Sequence, residues 1–436
     1  MMKYSNNTYP NKLSPKNLVK SALTVFAAAS LSLSVSVQAI VPTPAEKQSK
    51  PIAITGVTAH IGDGKVITDA TIAFDEGVIS FVGKNNALAN PEKYESLSMN
   101  GKHIYPGFIL PNTQLGLVEV NAVRATRDQA ERTQLNPSIR SISSYNTDSE
   151  LIPTFRFNGI LTAQVKPAGG LISGLSSLVS LDGWNWEDAA FATDTAMHIN
   201  WPSVYSRRFD YATYTVKTEK NKHYQEQIDI LTNLFQSASL YSSSSKPNLK
   251  LAAAKKVLDG KVQFFIHTNG AREIVNGVKF AKSHGINNIV IVGAREALIV
   301  ADFLKQENVP VILSGVHMLP SSEDADVDQA YKLPFQLTEA GIKVAIGSSL
   351  TIEPQGARNL AFGAGRTVGY GLTKEQALSL ITKNVAEILG VSDRIGTLEV
   401  GKVADIIAMH NSPLKNIEEL LDVDFVMKSG KVFKNK

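Results

Sequence analysis

The chain has 436 residues, 43% hydrophobic and 7% aromatic, with 44 Lys and Arg against 40 Asp and Glu. That length and apolar content support one large domain or two unequal ones around a substantial core. Cysteine is absent, which excludes disulfides, thiolate nucleophiles and zinc–thiolate centres, so a metal here needs His, Asp, Glu or weaker oxygen ligands.

The first twenty residues carry Lys3, Lys12, Lys16 and Lys20 and no acid, and a run of apolar and small residues follows over 21–37. Val37-Gln38-Ala39 then fits the small-x-small rule for cleavage, so residues 1–39 are predicted to be a signal peptide and the mature protein periplasmic or secreted. The run is too short for the roughly 20 apolar residues of a span, and Ser21, Ser30, Ser32, Ser34 and Ser36 dilute it. Those four lysines account for the whole net charge of +4. The mature chain therefore offers no basic surface for nucleic acid or an anionic membrane. Residues 40–50, with Pro42 and Pro44, read as a linker.

From Pro51 the pattern changes to short alternating runs at 52–54, 70–74 and 78–82, separated by turns at Gly62-Asp63-Gly64 and Glu76-Gly77. This is a meander of hairpins. The far end repeats the style at 405–409, 423–428 and 431–433, with a turn at Ser429-Gly430. Neither end has enough strands to bury a face alone, so residues 51–105 and 396–436 are predicted to share one small β-sandwich.

The middle, residues 106–395, alternates strand and helix. Strands are expected at 161–166, 178–181, 262–267, 288–293, 309–313 and 343–348, and a helix over 271–283 places Ile274, Val278 and Ala281 on one face. The last helix is the best marked, with Thr373-Lys-Glu-Gln376 as a capping box ahead of Ala377, Leu380, Ile381, Ile388 and Leu389, and Gly390 at its end. Such alternation predicts an α/β fold with a parallel sheet, closed as a TIM-like (β/α)8 barrel. Trp184 and Trp186 read as core aromatics rather than a pocket wall, though both readings stay open, and the mixed charges of Arg124, Arg127, Asp128, Glu131 and Arg132 as a solvated helical face.

One stretch, Pro-Gly-Phe-Ile-Leu-Pro-Asn-Thr-Gln-Leu-Gly over 106–116, has an apolar body that ends in Asn112, Thr113 and Gln114. It resembles the opening barrel strand of the amidohydrolase superfamily, where Pro-Gly, an apolar pair and an Asp precede a His-x-His that holds a catalytic metal. Asn112 and Gln114 stand where the two histidines belong. The segment Gly-Thr-Leu-Glu-Val-Gly-Lys-Val-Ala-Asp over 396–405 is similar to the family's return into its composite domain. Three further positions follow from the resemblance. His267 matches the third histidine, Gly293 falls at the fourth, and Ser349 replaces the metal-binding, proton-transferring aspartate.

The resemblance, closest to imidazolonepropionase-like exported amidohydrolases, implies hydrolysis of carbon–nitrogen bonds in small amides, cyclic imides or dipeptides, and a divalent metal such as zinc. The residues present disfavour that metal, because Asn112 and Gln114 offer only neutral amide oxygens and His267 alone survives as a strong ligand. Asp148, Asp182 or a carbamylated Lys166 remain as candidates to complete a site with it. Asn112, Gln114, His267, Gly293 and Ser349 are expected to converge at the carboxyl ends of the barrel strands as a pocket for an uncharged polar ligand. Two readings stay open: a periplasmic hydrolase with a remodelled centre, or a catalytically silent paralogue that binds a ligand, as a homo-oligomer or beside an active amidohydrolase subunit.

Overall fold

The computed structural model describes residues 48–242, 246–320, 325–347, 354–411 and 423–435. The predicted signal peptide, most of the predicted linker and Ser349 lie outside them. Among the described residues no helix is long and apolar enough to cross a membrane.

The chain opens with β1 (Ile52–His60), β2 (Val66–Asp75), β3 (Val78–Lys84), β4 (Glu95–Ser98) and β5 (His103–Pro106). β1 and β2 form an antiparallel hairpin, with Ile54 opposite Ile72. Glycines in left-handed conformation turn the chain at Gly62, Gly64 and Gly77, where a side chain would be strained.

β6 (Phe108–Thr113) then starts a second sheet, followed by β7 (Ile160–Val165), β8 (Ile172–Ser180), β9 (Ala190–Asn200), β12 (Gln263–Thr268), β13 (Ile289–Gly293), β14 (Val311–Leu313) and β15 (Val344–Ile346). Between β9 and β12 a separate ribbon pairs β10 (Tyr205–Asp210) with β11 (Thr215–Lys220). The eight strands of the second sheet run in sequence order. This is the predicted barrel, with one departure: β8 is antiparallel to both β7 and β9. The reason lies in the link. Parallel neighbours need a crossover of about a dozen residues or more. Only residues 166–171 join β7 to β8, and Gly169 and Gly170 both turn with positive φ.

Helices cover the later part of the barrel as the periodicity predicts. They include α1 (Leu151–Phe157), α2 (Trp186–Ala189), α3 (Tyr224–Ser239), α4 (Leu249–Leu258), α5 (Ala271–Ser283), α6 (Ala301–Gln306), α7 (Gln329–Glu339) and α8 (Leu360–Val368). The expected solvated helix near Arg124 is instead an exposed irregular loop holding a single turn at Arg124–Thr126. Trp186 packs against the core, but Trp184 is 61% exposed, which corrects its core assignment. The last predicted helix carries its capping box at Thr373 but breaks into α9 (Lys374–Ser379) and α10 (Lys383–Ile388). The break is useful to the barrel: Leu380 O accepts from Ile346 N–H and Ile381 O from Ile109 N–H, bridging the seam between β15 and β6.

β16 (Ile406–Met409), β17 (Val423–Lys428) and β18 (Lys431–Asn435) return to the first sheet, ordered β18-β17-β16-β5-β1-β2-β3 with β4 beside β1. Both chain ends therefore build one β layer. Alternation gives it two apolar faces. Ile406, Phe425 and Met427 join Ile54, Ile72 and Ile104 in its own core, while Ile407, Met409 and Val426 pack on the barrel. Inside this layer Lys428, 1% exposed, donates from Nζ to Asp405 Oδ2 at 2.5 Å, and Ser429 N–H bonds the other carboxylate oxygen.

Candidate active site

The barrel interior is apolar at one level and polar at the next. Ile109, Leu178, Ala196, Phe265, Val290, Ile312 and Ala345 fill the lower level, and Val385, Ala386, Ile388 and Leu389 pack with them. Toward the carboxyl ends of β6, β7, β9 and β12 the side chains become Asn112, Gln164, Lys166, His198 and His267.

Pro111 and Asn112 make a bulge in β6. Leu110 pairs with Ala163 and Thr113 with Val165, so β6 spends one more residue than β7. Asn112 adopts φ +56, a left-handed conformation that Asn tolerates better than most residues. Its N–H donates to Gln164 Oε1 at 3.1 Å, while its Oδ1 is buried without a partner among the described residues. Gln164 is fully buried and its Nε2 donates to Ser176 Oγ at 3.1 Å on β8. Gln114 lies just past the strand, in a turn closed by Leu117 N–H to Gln114 O.

His267, near the end of β12, meets a residue that the sequence reading missed. Its Nε2 lies 2.8 Å from Nδ1 of His198, which is wholly buried on β9 and rests against Phe265 at 5.1 Å between ring centres. His198 Nε2 has no hydrogen-bond partner among the described residues. Burial pushes both imidazoles well below their usual pKa; the charge of Lys166 depresses both further, and His267 also depresses His198. Both rings are thus neutral near pH 7, with one nitrogen of the pair donating to the other. Residues 190–200 carry Thr193, Thr195 and Ile199 ahead of Trp201-Pro202, a β-branched run that would have marked the strand and with it His198.

Gly293 ends β13, yet it does not leave an open slot for a side chain. It has φ +102, and an added Cβ would come within 2.8 Å of Asn269 Oδ1 and Thr268 O. It lines a small cavity of about 30 Å³ with Leu313, Gly315 and Met318. Asn112, His267 and Gly293, on β6, β12 and β13, and Gln114, just past β6, thus all sit at the carboxyl end of the barrel. Asp182 does not: it follows antiparallel β8 and so lies at the opposite end, bonded to Lys431 at 2.8 Å. Asp148 is exposed, next to Thr147, whose hydroxyl donates to Trp184 O beyond β8. Neither carboxylate can therefore complete a site with His267.

The metal that the fold family implies can be tested against these donors. The two imidazoles bond each other, and around them stand amides, a hydroxyl and a cationic lysine rather than carboxylates. Among the described residues no three His, Asp or Glu side chains come together to hold an ion. Among the described residues this set offers two imidazoles and no adjacent carboxylate, fewer strong ligands than a tight zinc site uses.

Comparison with known proteins agrees with the architecture. The model of the amidohydrolase family matches residues 250–433. The chain is similar to an imidazolonepropionase of Acinetobacter baumannii (strain AB307-0294), 23% identical over 383 residues, covering 80% of this chain and 90% of that protein. Its fold resembles the crystal structure of an amidohydrolase from Thermotoga maritima MSB8, with TM-score 0.76 and 18% identity over 88% of this chain and 100% of that one. A Xaa-Pro dipeptidase crystallised with methionine in its active site is also similar, with TM-score 0.53 and 15% identity over 88% of this chain and 100% of that one. By sequence the chain is similar to imidazolonepropionases and its later part matches the amidohydrolase family model, and its fold is that of an amidohydrolase.

Proposed function

We propose that this protein is an amidohydrolase-family hydrolase acting on a carbon–nitrogen bond of a small, uncharged polar amide, cyclic imide or dipeptide, with a remodelled centre. The His198–His267 pair at the carboxyl end of the barrel carries the reading. A neutral imidazole there can take the proton of a water attacking the substrate carbonyl and hand it to the leaving nitrogen as the carbon–nitrogen bond breaks, while the 2.8 Å hydrogen bond to its partner spreads the transient imidazolium charge. The field of Lys166, strong enough to depress both rings, favours the oxyanion that forms on the carbonyl oxygen. Asn112 Oδ1 and His198 Nε2, buried and without a partner among the described residues, are polar contacts for a substrate that enters this mouth. The leader-like first 39 residues support a periplasmic site of action.

A second reading, binding without turnover, is favoured by the depressed imidazoles, because a base held so far below neutrality accepts protons poorly. One experiment separates the two. Chelator-treated protein is assayed on small amides, cyclic imides and dipeptides, with calorimetry on the same panel. Hydrolysis that falls by about 10² or more in His267→Gln supports the first reading. Binding without product supports the second, and neither binding nor turnover on any of the panel would sink both.

A further inference from the structure

The ribbon of β10 and β11 stands outside both sheets and pairs with no other strand among the described residues. It leaves the carboxyl end of β9, the strand that carries His198. Every residue of β11 is exposed. An isolated two-stranded ribbon is marginally stable in water, and its outer edges offer unpaired N–H and C=O groups to another strand. Its tip adds exposed rings, since Tyr211 and Tyr214 are about four-fifths exposed and both pack edge-on against Phe209.

We propose that β11 is the edge through which two copies of this chain join, pairing antiparallel about a two-fold axis at Thr218 to extend the ribbon to four strands. The charge pattern Lys217-Thr218-Glu219 argues for the second copy as occupant. Centred on Thr218, the pairing sets each Lys217 opposite Glu219 of the second copy, twice by symmetry, on one face of the sheet. Val216 then lies opposite Lys220 of the second copy, whose aliphatic stem covers it. Moving the axis by one residue either way sets two Lys217 or two Glu219 side chains face to face, so the charges fix the register. Lys217 already bonds Asp210 at 2.6 Å within the ribbon, an exposed contact that the second carboxylate can share.

The test is sedimentation and light scattering of the full mature chain across a dilution series. Wild type should dimerise. Glu219→Lys and Lys217→Glu should each raise the dissociation constant about tenfold or more, because two attractions become two repulsions. The double variant K217E/E219K should recover the dimer, since it restores opposite charges in reverse. Amide exchange over residues 215–220 should slow as the wild type is concentrated, and melting temperatures that stay level among the variants will show that each is folded. A chain that remains monomeric throughout, a dimer indifferent to both single reversals, or a ribbon that engages lipid vesicles instead would overturn the proposal.

Discussion

The β layer and the barrel mouth both bury polar groups, and they treat them in opposite ways. In the layer, Lys428 and Asp405 are sealed together and the carboxylate takes a second bond from Ser429 N–H. At the mouth, His198 Nε2 and Asn112 Oδ1 are buried with nothing from the described chain to meet them. Unmet buried groups cost stability, about 1–3 kcal/mol each. A fold tolerates that cost where a ligand or ordered water supplies the partner, whereas a purely structural site closes its own network. The contrast separates the residues that hold the two chain ends together from those proposed to face a substrate.

The comparison breaks most visibly at the layer. Lys428→Met strands the buried carboxylate of Asp405, and the expected loss is about 3–5 kcal/mol in denaturant unfolding. A loss under about 1 kcal/mol would mean that water reaches Asp405 and that the pair is not a closed structural site.

The mouth should reveal itself through pH. His198 and His267 have folded-state pKa values below the unfolded imidazole value of about 6.5. The unfolded chain therefore binds their protons first as pH falls. Stability from this pair is complete above about pH 6.5 and declines below it toward the folded-state values, by at most about 1.4 kcal/mol per pH unit for each ring. His267→Gln keeps a hydrogen-bonding group beside His198 but removes one titration, so its stability should fall less steeply between neutral pH and mild acid. Parallel slopes for wild type and variant would show that the pair is not held neutral.

How much of this was readable beforehand follows the strength of the local signals. The helix over residues 271–283 matches α5 end to end, because Ile274, Val278 and Ala281 recur at helical spacing around a buried stripe. The composite layer was legible for a similar reason: short alternating runs at both ends lacked the strands to bury a face alone. His267 was legible through its strand end. His198 was not, since Ala190–Asn200 alternates weakly and half of its strand is only partly buried. The antiparallel course of β8 was missed although the short link with Gly169 and Gly170 contained it, and the break after Ser379 depends on barrel carbonyl partners far away in sequence. Pairings set by the closed sheet, rather than by neighbours along the chain, escaped a residue-by-residue reading.

The smallest expected effect sharpens the comparison most, and it depends on the choice of substitution at Asn112. Replacing it by Ala confounds two changes, because a non-Gly residue without Asn's local tolerance must then hold φ +56, a strain of about 1–2 kcal/mol. Asn112→Gly avoids that, since glycine accepts this conformation and the N–H to Gln164 Oε1 remains. The side chain that leaves takes with it a buried oxygen that bonds nothing in the described chain. Stability should consequently move by less than about 1 kcal/mol in either direction. A ligand whose N–H meets that oxygen loses one hydrogen bond, which is worth about 0.5–1.5 kcal/mol, or roughly two- to tenfold in affinity. Calorimetry with the best ligand of the amide panel reads this directly. Unchanged affinity together with a large loss of stability would move Asn112 from the mouth's binding groups to its scaffold, and would erase at this residue the difference between the two regions.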